Sequence, residues 1–173
     1  ELETINKTSR DFIVPTERLR MEPTSALTFK NGETHGFDAS GWAHNQIAAY
    51  ANVPREYYER IRTEAPGILA QNVNHGLERA NLRERRDGKP ETRMLRTVGP
   101  KLRAMVSSSY RRLDSFDLMN EVLPMMLDRK MEVASCEITE QRMYIKALMP
   151  KLTAEVKAGD AIQYGLVVSN SDV

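Results

Sequence analysis

The chain has 173 residues, 25 Lys+Arg against 24 Asp+Glu, a formal net charge of +1, and 40% apolar but only 6% aromatic residues. A chain of this length buries roughly 70% of its unfolded surface, enough for one real core. No run is long and apolar enough to read as a membrane helix, and a single cysteine, Cys136, excludes an internal disulfide framework and a Cys-rich zinc site. The expectation is one soluble, cytoplasmic domain over residues 1–173.

Residues 1–10 are polar and read as a tail or frayed helix. Phe12 to Val14 form a short apolar strand stopped by Pro15. Leu19 and Met21 alternate with arginines, and Leu27 and Phe29 alternate with polar residues, giving two more strands. Asn31-Gly32 suits a type I′ turn, with Thr34 to Phe37 as the return strand. Asp38 or Ser40 can cap a helix whose apolar face is Trp42, Ile47, Ala48 and Ala51. Pro54 opens a second helix burying Tyr57, Tyr58 and Ile61, and Pro66 stops it. A third helix runs from about Gly67 to Arg79, with Ile68, Leu69, Val73 and Leu77 at helical spacing.

Residues 80–91 read as a charged loop. Arg93 to Val98, the Gly99-Pro100 turn and Leu102 to Val106 make a hairpin. Asp114 caps a helix whose apolar stripe is Leu118, Met119, Val122, Leu123, Met126 and Leu127, with Pro124 set to kink or split it. Three strands follow, Met131 to Ile138, Met143 to Leu148 and Ile162 to Val168; Leu152 to Val156 is a candidate short one. Met131, Val133 and Ser135 share one period-2 face, and Met143, Ile145 and Ala147 another. Clustered strands and helices predict an α+β fold: a mostly antiparallel sheet with a three-helix segment and one further helix packed on it. The expected parts are a tail (1–10), strands plus helices (11–79), and hairpin, helix and strands (91–173). The chain ends soon after its last apolar run, so a longer native polypeptide is expected.

The near-zero charge is two opposed blocks. Residues 78–112 carry 11 basic against 4 acidic residues (+7), and residues 113–140 carry 2 against 7 (−5). Nine of the eleven basic residues are Arg, whose planar fork suits phosphate. Two readings stand: a phosphate-tracking surface for nucleic acid, or a block neutralised by the acidic stretch or by solvent.

Catalytic and metal motifs are weak. His35, His44 and His75 lie in no paired metal-ligand spacing, and His44 and His75 read as polar-face helix residues. Cys136, in an alternating strand, reads as a buried inert thiol. Ser107 to Ser109 have no nucleophile elbow, and no glycine-rich phosphate loop is present. Glu155-Val156-Lys157 fits the Glu-x-Lys of metal-dependent nucleases but lacks an upstream Pro-Asp. No catalytic residue, metal ligand or cofactor is assigned.

Ile47 to Ile61 has helix-turn-helix spacing, with Asn52 at the turn. Arg55, Glu56, Glu59 and Arg62 would then face DNA. Two glutamates make a poor phosphate partner, so a structural helical hairpin covering a sheet is the competing reading.

Several segments occur in a familiar order. They are Asp11-Phe12-Ile13-Val14-Pro15, Asn45-Gln46-Ile47-Ala48, Tyr57-Tyr58, Asn72-Val73-Asn74, Arg103-Ala104-Met105-Val106-Ser107, Tyr110-Arg111-Arg112-Leu113-Asp114, Val122-Leu123-Pro124 and Val168-Ser169-Asn170-Ser171-Asp172. This pattern resembles the phage/plasmid-like proteins grouped as the domain-of-unknown-function family numbered 932, over almost the whole chain. The resemblance implies a longer protein carried by prophages and plasmids in a bacterial cytoplasm, and it transfers no catalytic residue. The expected function is a non-catalytic nucleic-acid-binding accessory protein, favouring single strands and assisting recombination or annealing. Arg93, Arg96, Lys101, Arg103, Arg111 and Arg112 would contact phosphates, and Tyr110 would stack on a base. The alternatives are a protein-interaction factor that counters a host defence, and a metal-dependent nuclease.

Overall fold

Short alternating runs broken by proline and glycine build the strands of this chain, and runs with 3.6-residue periodicity build its helices. The computed structural model describes residues 2–84, 90–139, 141–157 and 160–171. Helix α1 (Leu2–Thr8) leads into β1 (Ser9–Pro15), β2 (Leu19–Met21), β3 (Leu27–Asn31) and β4 (Glu33–Ala39). Helices α2 (Gly41–Tyr50), α3 (Arg55–Glu64) and α4 (Pro66–Glu84) follow, then the hairpin β5 (Thr92–Val98) and β6 (Lys101–Ser107). Helix α5 (Ser115–Asp128) precedes β7 (Glu132–Ile138), β8 (Arg142–Lys157) and β9 (Asp160–Ser171). The fold is α+β.

Contacts divide the chain into two compact units, Thr4–Tyr110 and residues 1–3 with Arg111–Val173. The first holds a six-stranded sheet in the order β1-β5-β6-β4-β3-β2, antiparallel except where β4 runs parallel to β6. The hairpin β5–β6, grouped by the sequence reading with the C-terminal strands, pairs instead with β1 and β4. One core joins Val14, Leu19, Leu27, Phe29, Leu95 and Leu102 of the sheet to Ile47, Tyr58, Leu69, Val73 and Leu77 of α2–α4. Each such leucine, fully removed from water, contributes about 2 kcal/mol.

Polar side chains then lock helices to strands. Ser40 caps α2, its Oγ accepting from the Ala43 amide at 3.1 Å and donating to the Arg103 carbonyl at 3.0 Å. Gln46 Oε1 accepts from the Met105 amide at 2.8 Å. On the far edge, Asn74 of α4 accepts from the Met21 amide (2.8 Å) and donates to the Met21 carbonyl (3.0 Å). Its amide thereby stands in for a missing neighbour of edge strand β2.

The second unit has a three-stranded antiparallel sheet, β7-β8-β9. Met119 and Met126 of α5 pack on Met143, Ile145 and Ala147 of β8. Asn170 of β9 donates to the Leu113 carbonyl at 2.8 Å and to Ser115 Oγ at 3.3 Å, so the stretches around Leu113 and Asn170 meet at the start of α5.

Several expectations are corrected. Pairing of β3 with β4 continues to Asn31–Glu33, so Gly32 alone has positive φ and no type I′ turn forms. Trp42, Tyr57 and Ile68 are exposed, because the inward phase of their helices falls one residue later, on Ala43, Tyr58 and Leu69. Pro66 opens α4, which continues to Glu84 through part of the expected loop. Helix α5 runs unsplit past Pro124, and its Leu123 and Leu127 are exposed. Leu152 to Val156 belong to the long β8. Val133 and Ser135 lie on edge strand β7, which is exposed along most of its length, and Cys136 there is exposed rather than buried. His44 is buried, not on a polar face.

Candidate nucleic-acid interface

The boundary between the units is also a boundary of charge. Residues 4–110 carry 17 Lys+Arg against 12 Asp+Glu, a net +5, and the remainder carries 8 against 12, a net −4. The seven expected contact residues fall on both sides of it. Arg111 and Arg112 belong to the second unit, are exposed, and Arg112 Nε lies 3.8 Å from Asp114 Oδ2. The other five belong to the first.

Strand register sorts those five. Asp11, Arg96 and Ala104 are cross-strand partners and share one face; Phe12, Leu95 and Met105 share the other, packed under the helices. Arg96 is 5% exposed, and its Nε lies 3.2 Å from Asp11 Oδ1. The Tyr110 ring sits 6.0 Å from its guanidinium carbon. Arg93 lies three residues away, on the helix side. Its guanidinium carbon stands 4.2 Å over the Tyr50 ring and it pairs with Glu91 at 2.5 Å. Tyr50 donates to the same Glu91 at 2.8 Å. Burial, first of all, together with Glu91, raises the Tyr50 phenol above its ordinary pKa. Thus the structure sets Arg93 and Arg96 beside carboxylates of the fold.

Lys101 and Arg103 lie at the turn end of the hairpin, Lys101 exposed and Arg103 half-buried. Arg96 pairs with Ala104 and Thr97 with Leu102, so Arg103 is the extra residue of a bulge. A bulge re-aims its side chain, and Ser40 satisfies the carbonyl that the ladder leaves over. Arg83, Arg85, Arg86 and Lys89, also in the basic block, have side chains outside the described residues, as do Glu155 and Lys157.

Of the helix-turn-helix candidates, Arg55 and Glu56 are exposed, whereas Glu59 and Arg62 pair with each other. Asn52 takes the left-handed turn with φ of 57°, and Ile47, Ala48, Ala51, Tyr58 and Ile61 are buried in the sheet-covering core. Arg62 forks onto Glu59 Oε2 at 3.1 and 2.8 Å. Beneath, His44 Nδ1 and the Tyr58 hydroxyl are 2.7 Å apart. Burial, then the Arg62 charge, lowers His44 to about 4, and burial pushes Tyr58 up. His44 is therefore neutral at pH 7. Among the described residues no group of three or more His, Cys, Asp or Glu is placed to hold a metal ion.

Sequence reasoning missed a cleft of about 520 Å³ between the α2–α3 turn and α4. Tyr50, Asn52, Tyr57, Asn72, His75 and Arg79 line it. Its floor is the close approach of α2 and α4, where a Cβ on Gly76 would stand 2.1 Å from the Ala51 carbonyl oxygen. The legible signal was the spacing of Asn72, His75 and Arg79, three and four residues apart on one face of α4.

The chain matches no protein-family model, no curated protein and no solved structure. No helix of the described residues is long and apolar enough to cross a membrane.

Proposed function

We propose that this chain is a non-catalytic nucleic-acid-binding protein that handles single strands, as an accessory factor of a mobile genetic element assisting recombination or annealing. The observation that carries this reading is the segregation of charge, +5 in residues 4–110 against −4 in the remainder. A basic unit concentrates a polyanion. Lys101 and Arg103 at the hairpin turn are the phosphate contacts of the basic unit; Arg111 and Arg112 are further contacts carried by the other unit. Arg93 and Arg96 support the surface by holding Tyr50 and Tyr110. Binding of a labelled single-stranded oligonucleotide by the full chain, across a salt series, tests it. Affinity that weakens with salt, and weakens further in Lys101→Glu/Arg103→Glu, is the expected result.

A second reading rests on α5. Leu123 and Leu127, one turn apart on one face, are 39% and 62% exposed on the acidic unit, the kind of apolar surface that protein partners cover. An interaction factor acting against a host defence would use it. Oligonucleotide binding unchanged by Lys101→Glu/Arg103→Glu, with capture of one defined host protein lost in Leu127→Glu, would favour that reading.

A further inference from the structure

We infer that the cleft between the α2–α3 turn and α4 is a nucleotide subsite, taking one base and its phosphate. This rests on the nucleic-acid reading and gives it a place outside the hairpin. Three features of the cleft select such a ligand. Its volume, about 520 Å³, is in the range of small-molecule sites. Its lining includes an arginine and a histidine but no carboxylate, although α3 alongside carries Glu56, Glu59 and Glu64. That choice of residues favours an anion.

The third feature is a planar surface with polar groups around it. Tyr57 is 37% exposed at the cleft, and its hydroxyl accepts from Asn72 Nδ2 at 3.2 Å. Accepting there fixes the ring and leaves its own O–H proton to donate. Arg60 stands 5.6 Å from the Tyr57 ring centroid, steadying the side chain from its own helix. Asn52 and Asn72 offer amides for base edges, and His75 and Arg79, one turn apart on α4, offer N–H groups for phosphate oxygens. Tyr50 lines the same cleft and is held by Glu91 and Arg93. The basic hairpin thus reaches the cleft through one ring.

The test uses the full chain and an oligothymidylate in which single positions carry 5-iodouracil. Irradiation and peptide mapping are expected to place the adduct on Tyr57 or Tyr50. Tyr57→Leu and Arg79→Gln are each expected to weaken strand binding about tenfold with unchanged thermal unfolding. Wild-type affinity in both variants, with the adduct elsewhere, overturns the subsite while leaving the strand-binding reading standing. If no strand binds, titration with thymidine and adenosine 5′-monophosphates separates the two. Mononucleotide binding lost in Arg79→Gln supports the cleft as a site for a free nucleotide; absence of binding overturns it.

Discussion

Asp11 and Arg96 face each other across β1 and β5, their charged atoms 3.2 Å apart and their side chains 18% and 6% exposed. The pair joins the Asp11–Pro15 segment to the middle of the basic block, 85 residues later in the chain. It sets the limits of any phosphate surface, because a carboxylate this close already answers the central arginine. Removing the acid leaves a buried guanidinium facing a neutral group. Asp11→Asn is expected to cost about 2 kcal/mol. Adding Arg96→Met to it should recover most of that loss. Urea unfolding of the single and double variants checks both numbers. A double variant less stable than Asp11→Asn would show that Arg96 is held by something other than this pair.

His44 gives the first unit an acid-sensitive point. Its folded pKa is lowered from 6.5 to about 4, so the unfolded chain binds its proton first as pH falls. Stability from this group is complete above pH 6.5, declines below it, and levels off under the folded value. The loss by pH 5 is roughly 2 kcal/mol for this one group. His44→Gln should flatten the profile between pH 7 and pH 5, whatever it does to absolute stability. Midpoints of urea unfolding across that range measure it, and an unchanged slope in the variant contradicts it.

Gly76 and Gly67 lie in the same helix and should respond in opposite directions. A Cβ at Gly76 meets the Ala51 carbonyl oxygen, a backbone atom that cannot turn aside, whereas one at Gly67 meets nothing within 4 Å. Gly76→Ala is expected to lose about 3 kcal/mol as α2 and α4 separate. Gly67→Ala is expected to gain about 0.5 kcal/mol through helix propensity. Thermal unfolding of the two variants compares them directly.

Alternation and turn residues made β1 to β6 legible, and the Asn52 turn between α2 and α3 was legible from residue type alone. What stayed hidden was phase and partnership. Trp42, Tyr57 and Ile68 each precede the inward position by one residue, a step of about 100°, and apolar character alone does not choose between neighbours. His44 reads as polar until Tyr58, fourteen residues on, supplies its partner. Arg93 and Arg96 are three residues apart in one strand, so alternation already puts them on opposite faces, but it does not name their partners, Glu91 for the one and Asp11 for the other. The +7 block was correctly counted from sequence, but which of its charges the fold engages depends on register. The cleft showed in the sequence only as the spacing of Asn72, His75 and Arg79, because its walls come from two segments that meet through the approach at Gly76 and the Tyr57–Asn72 hydrogen bond.

The central claim is that the chain binds single strands through phosphate contacts, and a salt series measures this most directly. With Lys101, Arg103, Arg111 and Arg112 as four contacts, the logarithm of the association constant of the full chain for a labelled oligothymidylate should fall linearly with the logarithm of salt, with a slope of about −3. Lys101→Glu/Arg103→Glu should halve that slope. Affinity independent of salt, or no binding at micromolar protein in low salt, would contradict the account.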